Sequence, residues 1–189
     1  MDISCIIGID LANSFYICME RARSADMTDL HDTLAVSLAG VPREGKLADA
    51  LATRANVLAM TQAAGEAVLA PRQPGAWSHD LRAAIAARVA RLNGDEAAAA
   101  SYAARMRTPE YAPLADPHQD GTAQGLAVVM RFVDRVAART SEVAAADITA
   151  LRDSGVADAD IVRLCELNAF LSYQLRLAAG LRLLREVAP

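Results

Sequence analysis

Aromatic side chains are scarce in this chain, at 4% of 189 residues, although apolar residues make up 53%. The apolar surplus is alanine and leucine, which argues against a β-sandwich and for closely packed helices. Positive charge is not in excess either. A formal charge of -4 and a pI near 5.4 leave no extended basic face, so no nucleic-acid partner is expected. Cysteine is rare and scattered: Cys5, Cys18 and Cys165 are odd in number, and no pair has C-x-x-C spacing. The three histidines, His31, His79 and His118, form no metal-ligand pattern. A disulfide framework and a structural zinc site are therefore not expected, no cofactor is indicated, and a reducing, cytoplasmic compartment follows as the default.

A clean apolar run at the N-terminus is also missing. Ile3 to Met19 is apolar, but Asp10 and Asn13 interrupt it and no basic residue precedes it, so it does not read as a signal peptide. It is short for a membrane span, and a membrane partner is not expected even though Arg21 and Arg23 follow it. Residues 1–27 are read as an extension that packs on the domain, or as an artefact of start-codon choice with Met27 as the true start. Residues 28–189 are long enough to bury a core of their own and are read as one helical domain.

What remains is a succession of helical patterns. Leu30, Leu34 and Leu38 recur every four residues before Gly40 and Pro42 stop them. A second segment runs from about Lys46 to Leu69, with Leu47, Leu51, Val57 or Leu58 and Val68 on its apolar side, and "APRQPGAWS" breaks it. Ser78 can cap a helix carrying Leu81, Ile85, Val89 and Leu92. Asn93 and Gly94 turn the chain, Asp95 caps the next helix to about Arg107, and the two form an αα-hairpin. Thr108 to Gly121 holds three prolines and reads as an irregular loop, either a lid or a connector. Leu126, Val129, Met130, Val133 and Val136 form the next stripe, and a short helix through Ile148 and Leu151 ends at Gly155. Asp158 opens the longest helix, to about Arg185, lined by Leu164, Leu167, Leu171 and Leu175, with Phe170, Leu177, Leu181 and Leu184 on a second side. An apolar arc that wide belongs in a bundle core or a subunit interface, so a homo-oligomer is expected.

Two blocks, "LRAAIAARVARLNGDEAAAASYAARM" and "VVMRFVDRVAARTSEVAAADITALRDSGVADADIVRLCELNAFLSYQLRLAAGLRLL", resemble the superfamily of alkylhydroperoxidase AhpD and carboxymuconolactone decarboxylase, in particular its peroxidase-related branch. The likeness covers about Asp29 to Leu184. It implies an all-α, AhpD-like helical bundle that assembles into oligomers. In the peroxidase members the helix after the turn begins with C-x-x-C, and a histidine one turn on and a glutamate on the preceding helix relay protons. A helix N-terminus lowers a thiol's pKa and so favours the attacking thiolate. In this chain the cysteine positions fall on Asp95 and Ala98, the histidine position on Ser101 or Tyr102, and the glutamate position on Ala83. The resemblance therefore implies a scaffold without its redox centre, in which Asp95 serves as an N-cap.

The superfamily also contains cofactor-free decarboxylases that use acid–base groups between helices. For such a site the chain offers Ser101 and Tyr102 on the hairpin and Glu166, Asn168, Tyr173, Gln174 and Arg176 on the long helix, where Arg176 could hold a carboxylate bidentately. Beside that pocket stand plainer roles. Asn168 and Gln174 satisfy backbone or inter-subunit hydrogen bonds, Arg176 pairs with Glu166 or Asp134, Arg163 and Glu166 form a surface pair, Trp77 anchors its loop, and His118 is a loop histidine. Cys165 is expected to pack as a small hydrophobe; as a peroxidatic thiol it would make the chain a one-cysteine antioxidant. Three functions are thus in view: a non-redox binding or oligomeric domain, a cofactor-free enzyme acting on a small carboxylate or lactone, and a Cys165-dependent peroxidase.

Overall fold

A computed structural model describes residues 29–187, and among these the fold is all-α, with eight α-helices and no strand. The helices are α1 (Leu34–Ala39), α2 (Lys46–Ala52), α3 (Ala55–Leu69), α4 (His79–Leu92), α5 (Glu96–Ala103), α6 (Ala127–Ala138), α7 (Ala145–Asp153) and α8 (Asp158–Val187). The N-terminal extension, with Cys5 and Cys18, lies outside the described residues. Among the described residues no helix is long and apolar enough to cross a membrane. The chain divides into two compact units, one built from residues 29–67 and 177–187 and the other from Val68–Arg176.

The first unit has a small aliphatic core. Ala35, Val36 and Ala39 of α1, Val41, Leu51 of α2, Leu58 of α3 and Leu181 of α8 are buried together, with Leu30, Leu47 and Leu177 packed against them. The carbonyls at the end of α1 have no intrahelical donor and need one. Arg182 donates to Leu38 O at 3.2 Å and Arg185 to Ala39 O at 2.8 Å, so α8 supplies the cap. The chain reverses there through Gly40 at φ 62°, where a Cβ would also lie 2.8 Å from the Arg185 guanidinium. The continuous helix expected over Lys46 to Leu69 is broken between Ala52 and Ala55. Thr53 turns its hydroxyl back onto Ala50 O at 2.7 Å, and Arg54 N bonds Leu51 O three residues back, tightening the last turn of α2 until it ends.

The second unit is organised around α4. Every residue from Leu81 to Ala90 is buried, so the helix is enclosed on all sides rather than along the one expected stripe. Five alanines in that span let neighbours approach closely, and α5, α6 and the 3-10 turn Ala112–Ala115 pack against it. Ser78 caps its start, accepting from Leu81 N at 3.2 Å. Its end is the expected turn: Asp95 N returns to Ala90 O at 2.9 Å across Gly94 at φ 74°, and Asn93 donates to Val89 O at 2.8 Å. Helix α5 stops at Ala103, short of the expected Arg107. The backbone N–H groups of Arg107 and Thr108 are drawn instead to the Asp80 carboxylate, and Thr108 precedes a proline, which disfavours helical backbone. Helix α8 buries Leu164, Leu167, Leu171 and Leu175, as the leucine spacing predicts.

Candidate functional site

Helix α4 carries two arginines into the interior, and each holds a loop. Arg88 is 1% exposed and uses its whole guanidinium. Nε and Nη2 grip Asp134 of α6 at 2.5 and 2.7 Å, while Nη1 and Nη2 donate to the carbonyls of Leu114, Asp116, Gln119 and Pro117. The proline-rich loop is therefore a pinned connector over residues 114–119, and His118 sits exposed on it. Arg82 is 2% exposed and donates to Val68 O, Pro74 O and Trp77 O at 2.9–3.0 Å. No carboxylate bonds it directly. Burial pushes its pKa down, Arg163 pushes the same way, and Glu166 and Asp160 oppose them. Trp77 does anchor its loop: it is buried and donates from Nε1 to Asp160 O at 2.7 Å.

The loop held by Arg82 forms one wall of a cleft of about 670 Å³, a volume suited to a small molecule. Leu69, Ala70, Pro74 and Ser78 line that wall, the first turn of α4 contributes His79, Asp80 and Ala83, and the segment after α5 contributes Arg105, Arg107, Thr108, Glu110 and Tyr111. Asp80 accepts from the Thr108 hydroxyl at 2.7 Å and from the N–H groups of Thr108 and Arg107 at 2.9 and 3.1 Å. The Thr108 hydroxyl and then the Arg107 N–H hold its carboxyl below the usual carboxylate range. Burial, followed by a hydrogen bond with Glu110, pushes the Tyr111 phenol up. His79 places Nε2 2.9 Å from Pro71 O. Since a carbonyl only accepts, Nε2 carries a proton, and in the neutral tautomer this leaves Nδ1 as the acceptor. Among the described residues no group of His, Cys, Asp and Glu is arranged to hold a metal ion.

The positions singled out in the sequence are dispersed relative to this cleft. Ala83 lines it, at the position where the resemblance places a glutamate. Asp95 is the expected N-cap, accepting from Ala98 N at 3.0 Å, and Ala98 is buried. Ser101 donates to Ala97 O at 3.0 Å. Glu166, Tyr173 and Arg176 lie on the exposed face of α8, whereas Asn168 and Gln174 are buried, so these residues do not line one cavity. Asn168 donates to Leu164 O at 2.9 Å, while its Oδ1 and the Oε1 of Gln174 have no hydrogen-bond partner. The expected ion pairs are also redistributed: Asp134 belongs to Arg88, and Arg163 bonds Asp160 at 2.9 Å rather than Glu166. Cys165, expected to pack in the core, is exposed, because it faces away from the buried leucine row. Partial desolvation nevertheless pushes its thiol up, which disfavours the nucleophilic thiolate.

Tyr102 is fully buried and its hydroxyl has no hydrogen-bond partner. Burial is the main reason its pKa is raised, with Arg105 and Asp95 acting in opposite directions. An unsatisfied buried hydroxyl costs on the order of 1 to 3 kcal/mol. Tyr102→Phe keeps the ring and removes that cost, so thermal melts are expected to show a gain of about 1 kcal/mol, a rise of a few degrees. A loss of stability would show that the hydroxyl is bonded in solution.

No family model, curated protein or solved structure matches the chain.

Proposed function

We propose that the chain is a non-redox member of the AhpD and carboxymuconolactone decarboxylase superfamily, and that its cleft binds a small organic acid. The observation that carries this reading is the charge arrangement of the cleft. Both of its carboxylates are engaged by protein donors, Asp80 by Thr108 and Arg107 N–H, and Glu110 by Tyr111. Arg105 and Arg107 line the same space, and the buried Arg82 adds a cation behind the wall. Guanidinium groups in such a setting favour a planar, bidentate anion such as a carboxylate. The non-redox half rests on the start of α5, where an aspartate stands at the first cysteine position and already accepts from the Ala98 N–H.

The test is a thermal-shift and calorimetric screen of small carboxylates beside their uncharged amides. A saturable rise in melting temperature with a carboxylate, absent with its amide, is expected. Arg105→Ala and Arg107→Ala are each expected to weaken binding about tenfold or more, as the loss of a charge-assisted hydrogen bond does. Equal shifts from acid and amide, or none from either, would sink the ligand assignment. Peroxide consumption with a dithiol reductant that depends on a cysteine would overturn the non-redox half. The His79 tautomer favours a second reading, a cofactor-free acid–base enzyme of the decarboxylase or lactone type. Following the same acids for loss of carbon dioxide or ring opening separates enzyme from binder.

A further inference from the structure

Within Val68–Arg176, helix α8 exposes Val162, Glu166, Ala169, Tyr173 and Arg176. Their spacings of four, three, four and three place them within about 80° of the helix circumference, the seam pattern of a packed helix pair. Val162 is 50% and Tyr173 46% exposed, and the Phe170 ring flanks the seam 6.2 Å from Tyr173. Val162 and Tyr173 stand about 16 Å apart along the axis with Glu166 and Ala169 between them, so the face is a mixed apolar and charged strip at the spacing of a helix-pair seam.

The inner four positions, 166, 169, 173 and 176, have spacings of three, four and three, which read the same in both directions. An antiparallel copy related by a two-fold axis at residue 171 sets Glu166 against Arg176 of the partner subunit. It also sets the small Ala169 against Tyr173 of the partner subunit. A parallel copy would instead oppose acid to acid, arginine to arginine and tyrosine to tyrosine. On a single helix Glu166 and Arg176 lie about 15 Å apart along the axis, too far to pair. The nearer Arg163 bonds Asp160. The apolar stretch Ile3 to Met19 of the same chain contains Asp10 but no cation, so it does not match Glu166. We infer that this face of α8 docks antiparallel onto the same face of a second copy, each dimer holding two Glu166–Arg176 pairs.

Sedimentation of the full chain under reductant tests this inference independently of any ligand. The wild-type chain is expected to be dimeric at tens of micromolar. E166R and R176E each create two like-charge contacts and are expected to weaken the dimer at least about tenfold. The double variant E166R/R176E exchanges the signs and is expected to return to within about threefold of wild type. Both positions are exposed, so circular dichroism should show all three variants folded. If a reversal unfolds the chain, E166Q and R176Q read the same contact: each weakens the dimer, and the pair is no worse than either alone. A monomeric wild type, including one whose face is covered by residues 1–28, overturns the proposal. So do single reversals without effect, or a double variant that stays monomeric.

Discussion

Arg88→Met is expected to be among the most damaging single substitutions in the Val68–Arg176 unit. The side chain is 1% exposed and its Nε and Nη groups are all committed, two bonds going to Asp134 and the rest to four carbonyls between Leu114 and Gln119. Methionine fills a similar volume but donates nothing, so all those acceptors lose their partner at once. Breaking a buried pair by removing one member costs about 3 to 5 kcal/mol. Asp134 is 25% exposed and can regain water, which holds the cost within that range rather than above it. A melting temperature lower by about 10 °C or more should result. Arg88→Lys should recover little, since a single ammonium cannot reproduce the planar fork that spans α6 and the loop. Asp134→Asn should cost distinctly less, because Arg88 keeps its carbonyls. A melt of Arg88→Met within about 3 °C of wild type, roughly 1 kcal/mol, would show that the loop is held by something else.

That arginine also marks where the sequence stops being legible. The row Leu164, Leu167, Leu171 and Leu175 of α8, the Ser78 and Asp95 caps and the Asn93–Gly94 turn follow from local rules of spacing and hydrogen bonding, and each stands as the residues predict, whereas Leu184 at the end of the second side is 50% exposed. In "LRAAIAARVARL" the periodic row Leu81, Ile85, Val89 is legible, but full burial of the helix is not, because alanine is compatible with core and surface alike. One signal was present. The helix interior from Leu81 onward offers arginine as its only polar residue type and no acid to balance it, which is unusual for a solvated face. The break at Thr53 was illegible for a similar reason, since Thr53 and Arg54 are ordinary helix residues until a hydroxyl turns back on its own backbone.

The cleft was hidden because it is assembled from three segments separated in sequence, two of them loops. Leu69 to Ser78, the first turn of α4 and Arg105 to Tyr111 meet only once Asp80 has captured the N–H groups at 107 and 108 and Arg82 has gathered the first loop. Periodicity carries no information about such convergence. The candidate pocket drawn from the sequence rested on polar residues interrupting apolar rows of α8. That signal identified Asn168 and Gln174 as buried but gave Glu166, Tyr173 and Arg176 no common direction with them. Cys165 differs: it lies between Leu164 and Glu166 in a leucine-rich helix, and its angular position puts it on the outer face.

Arg82→Met should couple this architecture to function. The guanidinium holds Val68 O, Pro74 O and Trp77 O without a hydrogen-bonded carboxylate, so it bears a desolvation cost that its removal relieves. The three carbonyls, however, lose their donors, and an unsatisfied buried acceptor costs on the order of 1 to 3 kcal/mol. Pro74 and Val68 are only half-buried and can rehydrate, leaving Trp77 O as the main loss. The relieved desolvation offsets only part of that loss, and the net destabilisation should be about 2 kcal/mol, smaller than for Arg88→Met. The larger consequence is local. Released from Arg82, the loop that carries Pro74 and Ser78 no longer defines the cleft wall, and affinity for a carboxylate should fall at least about tenfold while the protein remains folded. Trp77, the only tryptophan and 3% exposed, reports on the same loop. Its emission should shift to the red in the folded variant, well below the melting transition. Unchanged emission together with unchanged affinity would mean that the loop holds its shape without Arg82, and that the buried cation contributes neither the wall nor the field of the binding site.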